Sequence, residues 1–79
     1  MSDLVMKWTA DTAKLLVGRV ITEVRYLTEE ERDNLGWNSR SIVIILNDGT
    51  AIYPSQDDEG NDAGALFTTS KTLPTIPVI

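Results

Sequence analysis

The chain contains no cysteine and no histidine. Without cysteine no disulfide can brace it. Without either residue it cannot build a zinc finger, an iron–sulfur cluster or a histidine-ligated haem. Cys–His and Ser–His–Asp catalysis are excluded as well, because each needs an imidazole base. The sequence also lacks any run near the roughly 20 apolar residues that a membrane-spanning helix needs. Its start, Met1-Ser2-Asp3-Leu4-Val5-Met6-Lys7, carries an acid where a secretory signal needs a base, and no apolar stretch follows. These features predict a soluble cytoplasmic protein with no membrane association, no cofactor and no assigned catalytic residue.

What is present is short and acidic. The 79 residues suit one domain over residues 1–79. Seven Lys and Arg stand against twelve Asp and Glu, a net charge of −5. The cations are Lys7, Lys14, Arg19, Arg25, Arg32, Arg40 and Lys71, and no two are adjacent. A phosphate-neutralising basic patch is therefore missing, and direct nucleic-acid binding is not expected. An acidic chain could instead mimic DNA in a basic groove, although the same charge also serves plain solubility. A domain this small buries only about 60% of its unfolded surface. With disulfide and metal excluded, oligomerisation is the remaining way to brace it.

Local patterns predict a small α+β fold, with a mainly antiparallel sheet of three to four strands, a central hairpin and one or two short helices. Thr9 suits the N-cap of a first helix that Gly18 stops, which leaves residues 1–8 as an arm. Arg19 to Leu27 reads as a strand rich in β-branched residues. Thr28-Glu29-Glu30-Glu31 is a capping box, and Gly36 ends the surface helix it opens. Ser41 to Asn47 is the strongest strand. Asp48-Gly49 suits a two-residue hairpin turn, which pairs Leu46 with Ala51, Ile45 with Ile52 and Ile44 with Tyr53. Both faces of this hairpin are apolar, and little chain remains to cover the second. Ala63 to Ser70 suggests a helical turn that packs Leu66 and Phe67. The tail, residues 72–79, is apolar and holds Pro74 and Pro77, so it should dock in extended form on its own sheet or on a neighbouring subunit.

One segment looks like more than scaffold, Tyr53 to Gly64. Asp57, Asp58, Glu59 and Asp62 are weak candidates for a hard-cation site, since Ca²⁺ and Mg²⁺ prefer oxygen ligands. Their spacing does not fit the EF-hand pattern. Asp57 and Asp58 could also act as paired carboxylates, but no nucleophile beyond Ser55 and Tyr53 accompanies them. A shaped loop held by Asp and Asn side chains is the structural alternative. Trp8 and Trp37 are each expected to plug one edge of the core, with an interface role as the alternative. Arg40 could form a surface salt bridge with the acidic loop.

The stretches Leu16-Val17-Gly18-Arg19-Val20-Ile21, Tyr53-Pro54-Ser55-Gln56-Asp57-Asp58-Glu59-Gly60-Asn61, Gly64-Ala65-Leu66-Phe67 and Leu73-Pro74-Thr75-Ile76-Pro77-Val78 resemble small uncharacterised proteins of bacteria and of marine cyanobacterial phages. The resemblance spans about residues 15 to 79. It implies an accessory protein expressed inside the host cell, with a possible protein partner there, and it brings no activity.

The leading expectation is a non-enzymatic, homo-oligomeric protein-interaction module. Its sheet face and tail would make the self-contact. Trp37, Arg40, Tyr53, Asp57, Asp58, Glu59 and Asn61 would form an outward recognition surface. The rival is a small enzyme or ligand- or cation-binding protein whose Asp57, Asp58 and Glu59 line an inter-subunit cleft.

Overall fold

Two features of the first segment favour helix from its beginning: Leu4, Val5, Trp8, Thr12, Leu15 and Leu16 recur at helical spacing, and no Gly or Pro interrupts Ser2 to Leu16. The structure, a computed structural model that describes residues 2–79, places helix α1 at Ser2–Leu16. The arm expected over residues 1–8 is therefore helical from Ser2 onward, and Thr9 lies inside the helix and does not cap it. Asp3 in the first turn and Lys14 in the last both suit the helix dipole. Gly18, with φ of 80°, provides the expected stop.

Strand β1 follows at Ile21–Tyr26, then helix α2 at Glu29–Leu35 and strands β2 at Ile42–Leu46 and β3 at Ala51–Ile52. These strands form one antiparallel sheet in the order β1-β2-β3. A second sheet pairs β4, Leu66–Phe67, with β5, Thr75–Ile76. The fold is a small α+β architecture. The helical turn expected near Leu66 is replaced by this second hairpin. Phe67 is not packed inside but is 84% exposed.

Helix α2 forms as its sequence dictates. The Thr28 hydroxyl accepts from the Glu31 N–H at 3.1 Å, and the Glu31 carboxylate accepts from the Thr28 N–H at 2.8 Å. At the other end Gly36 has φ of 74°. The Gly36 N–H donates to the Asp33 carbonyl and the Trp37 N–H to the Arg32 carbonyl, both at 3.0 Å. This Schellman arrangement turns the chain back and delivers Trp37 to the core. Arg25 on β1 clamps Glu31 with contacts of 2.8 and 3.2 Å, which ties the helix to the sheet edge.

The main hairpin forms, but with a different register. Ile44 pairs with Ile52 and Ile45 with Ala51, one residue off the sequence expectation. The loop has an extra residue. The Gly49 N–H donates to the Leu46 carbonyl at 2.9 Å, and the Leu46 N–H donates to the Thr50 carbonyl at 2.9 Å. Only Gly49 takes a positive φ, 89°, whereas a two-residue turn would require one at Asp48 too. The geometry is a type I turn followed by a glycine bulge. Asp48 favours it, because its carboxylate accepts from the Thr50 N–H at 3.0 Å.

The register decides which side chains share a face. Val43 and Ile45 lie on the inner face, where Leu27, Trp37, Val43 and Ala63 form the buried core and Ile45 and Val78 pack against it. Tyr53 falls on this side with Trp37, their ring centroids 5.9 Å apart. The outer face pairs Ile42 with Tyr26 and Ile44 with Val24. Val20, Ile21 and Val24 remain 56–59% exposed along β1 and its approach.

The tail returns to its own chain. Arg40 and Ile79 exchange backbone hydrogen bonds of 2.7 and 3.0 Å, and the Tyr26 hydroxyl donates to the Pro77 carbonyl at 2.8 Å. Helix α1 does not pack in the same way. All of its apolar residues except Ala13 are exposed, including Leu4 at 59%, Val5 at 60% and Trp8 at 60%. Trp8 therefore does not plug the core, and Trp37 alone of the two tryptophans does.

Candidate functional site

The acidic segment is a closed loop whose neck is built by backbone contacts. Ser55 and Ala63 form a bridge, the Gln56 N–H donates to the Asp62 carbonyl at 2.9 Å, and the Gly64 N–H donates to the Pro54 carbonyl at 3.0 Å. The strands of the neck approach so closely that a Cβ on Gly64 would lie 2.6 Å from the Ser55 carbonyl oxygen. Gly64→Ala must push backbone apart. The expected cost is about 1–3 kcal/mol of stability, read as a lower urea midpoint. A midpoint equal to that of the wild type would show that the neck is not tight.

Two of the loop carboxylates are consumed by the fold. One Asp57 oxygen accepts from the N–H groups of Glu59 and Asn61 at 3.0 and 3.3 Å, and the other accepts from the Asn61 side chain at 2.8 Å. Asp62 reaches across the molecule. One oxygen accepts from the N–H groups of Asn38, Ser39 and Ala63 at 3.1, 3.2 and 2.7 Å, and the other accepts from the Asn38 side chain at 3.1 Å. Each carboxyl is held below its usual range, Asp57 chiefly by the Asn61 side chain and Asp62 chiefly by the Ala63 N–H. Both are thereby kept ionised and acceptor-only, the state suited to holding backbone and unsuited to shuttling protons near neutral pH.

The other candidates are dispersed. Asp58, Glu59 and Asn61 lie exposed on the loop, and Tyr53 is 42% exposed at its base. Arg40 is half-buried beside Ile79, and among the described residues it forms no ion pair, so the salt bridge expected with the loop is not made. Trp37, read both as a plug of the core and as part of the outward surface, is 6% exposed, and its indole N–H donates to the Gly60 carbonyl at 2.7 Å. It anchors the loop from inside. Among the described residues no group of three acids is placed to hold a metal ion. A cleft of about 220 Å³ lies between α2 and Tyr53, lined by Leu27, Glu31, Asn34 and Leu35. That is below the roughly 300–1,000 Å³ of small-molecule sites, and its one carboxylate is already paired with Arg25.

The larger exposed feature is on α1. A groove of about 500 Å³ runs along it, lined by Trp8, Thr9, Thr12, Ala13, Leu16 and Val17. Sequence reasoning placed Trp8 inside, and the helical periodicity that could have revealed a continuous apolar stripe starts before the assumed cap at Thr9. Among the described residues no helix is long and apolar enough to cross a membrane. In comparisons with known proteins, the chain matches no family model, no curated protein and no solved structure.

Proposed function

We propose that the chain is a non-enzymatic, homo-oligomeric protein-interaction module acting in the cytoplasm. The observation that supports this reading most is surface the fold leaves uncovered. The accessible surface is 5970 Å², whereas a compact monomer of 8.7 kDa exposes about 4,700 Å². The radius of gyration is 14.0 Å, against about 12 Å for a compact chain of 79 residues. The excess, about 1,200 Å², exceeds the roughly 800 Å² that each partner contributes to a standard interface. Much of the exposed surface on α1 and β1 is apolar, and contiguous exposed apolar surface marks interaction sites. The tail, bonded to Arg40 and Tyr26 of its own chain, contributes less to self-contact than its sequence suggests.

The acidic loop, with Tyr53 at its base, then serves as a rigid outward display for a partner inside the host cell. Its Asp58, Glu59 and Asn61 side chains are solvent-exposed while Asp57 and Asp62 hold its shape. The resemblance to bacterial and cyanobacterial phage proteins fits an accessory role of this kind.

Melting measured over a hundredfold range of protein concentration tests the self-association. Because association stabilises only the folded chain, the melting temperature is expected to rise with concentration. A midpoint independent of concentration would count against the module.

A further inference from the structure

Resting on the reading of the chain as a self-associating module, we propose that α1 is the self-association element, and that it pairs antiparallel with α1 of a second copy about a twofold axis near residue 10.

The helix needs a partner. Isolated helices shorter than about 12–15 residues are marginal in water, and α1 has 15 residues, three of them the β-branched Val5, Thr9 and Thr12. Its stability must come from packing an apolar face, yet that face is open. Leu4, Val5, Trp8, Leu15 and Leu16 are 38–60% exposed.

Both the apolar and the charge patterns of α1 point to a second copy. About residue 10 the stripe is palindromic: Leu4 mirrors Leu16, Val5 mirrors Leu15, and Trp8 mirrors Thr12. A twofold interface apposes the same patch from both copies, so residue i meets j and j meets i. The large Trp8 then faces the small Thr12. The groove there, about 500 Å³ with Thr9, Thr12 and Ala13 between Trp8 and Leu16, is where Trp8 of the second copy is received. The charged side carries Asp3, Lys7, Asp11 and Lys14, which alternate in sign and sum to zero. Reversing the helix exchanges the signs. An antiparallel copy brings Asp3 towards Lys14 and Lys7 towards Asp11, whereas a parallel twofold copy turns this flank towards the partner's uncharged flank of Met6, Ala10 and Ala13 and leaves the charges unpaired across the interface. A neutral helix also has no electrostatic pull towards an anionic membrane, whose peripheral helices are typically rich in Lys and Arg.

Light scattering on the wild type, Trp8→Asp and Val24→Asp separates this inference from the reading beneath it. Trp8→Asp is expected to weaken self-association at least about 30-fold and give the single-chain mass. Val24→Asp, on the outer sheet face, is expected to stay paired. Trp37 remains as the sole tryptophan in Trp8→Asp, so blue-shifted emission reports that the body is folded. A paired Trp8→Asp with a monomeric Val24→Asp overturns the α1 interface and leaves self-association standing. A monomeric wild type overturns both.

Orientation is read by disulfides in the otherwise cysteine-free chain, which also decides the matter if Trp8→Asp does not fold. Leu4→Cys mixed with Leu16→Cys is expected to cross-link on oxidation, and neither alone. In the antiparallel pair, like positions are separated by about 18 Å, 12 residues at 1.5 Å each, too far for a disulfide. Cross-linking of each variant with itself, or of neither combination, overturns the antiparallel pair.

Discussion

Trp37→Ala is expected to remove about 3–5 kcal/mol of stability, the cost of truncating a buried tryptophan. A chain of 79 residues has only about 4–12 kcal/mol in total. The variant should therefore be largely unfolded at 25 °C or melt far below the wild type. Two losses combine in this substitution. The indole leaves the cluster of Leu27, Val43 and Ala63, and the Gly60 carbonyl loses the N–H that meets it at 2.7 Å. The second loss loosens the acidic loop even in molecules that stay folded. Urea denaturation followed by far-UV circular dichroism measures the effect. A midpoint within error of the wild type would mean that Trp37 is not the keystone of the core.

Acid is expected to unfold the protein, and neutral pH changes are expected to leave it alone. Arg25, followed by the Thr28 N–H, holds the Glu31 carboxyl at about 2, down from 4.5. Asp48, Asp57 and Asp62 are lowered too, Asp48 chiefly by the Thr50 N–H. Carboxyls whose folded values lie below their unfolded values bind fewer protons in the folded state. Their contribution is therefore complete above about pH 4.5 and drains away as the pH falls towards 2. With no histidine, no side chain has an ordinary pKa between about pH 5 and 8, so stability should be flat there. Melting temperatures at pH 7, 6, 4 and 3 check both halves. Glu31→Gln should shrink the acid drop, because it removes the most shifted of these groups. An undiminished melting temperature at pH 3 would contradict the ion-pair and hydrogen-bond geometry described for all four carboxylates.

Local chemistry was legible in the sequence wherever a few neighbouring residues decide the outcome. Thr28, Glu31 and Gly36 cap α2 through contacts within one or two turns, and all three behave as their positions imply. Asp48-Gly49 announced a turn but not its length. That depended on whether Asp48 would take a positive φ or use its carboxylate to hold the Thr50 N–H, and the second outcome shifts the register by one. Thr9 resembles a cap, yet a cap is effective only where the preceding residues leave the helix, and Leu4 to Trp8 continue the periodicity instead. The strand at Leu66–Phe67 was hidden because its partner lies across the turn at Thr75–Ile76, and short β-pairs owe their existence to the partner more than to their own propensity.

The candidate site divides along the same line. The Asp57 contact with Asn61 is the short-range capture that Asp and Asn favour, and a shaped loop was one of the readings of this segment. Asp62 bonds to Asn38, 24 residues away, and no spacing rule exposes such a contact. Nor does local sequence reveal whether an apolar residue will find cover. Trp8 and Trp37 look equivalent as letters. The Schellman turn after α2 places one of them in the core, and the other stays 60% exposed on α1.

Self-association is the claim on which the functional reading stands, and light scattering on the eluting peak of a size-exclusion column tests it most directly. At micromolar concentration the full chain is expected at twice its 8.7 kDa mass. A single peak at 8.7 kDa, unchanged when the concentration is raised, would contradict the account.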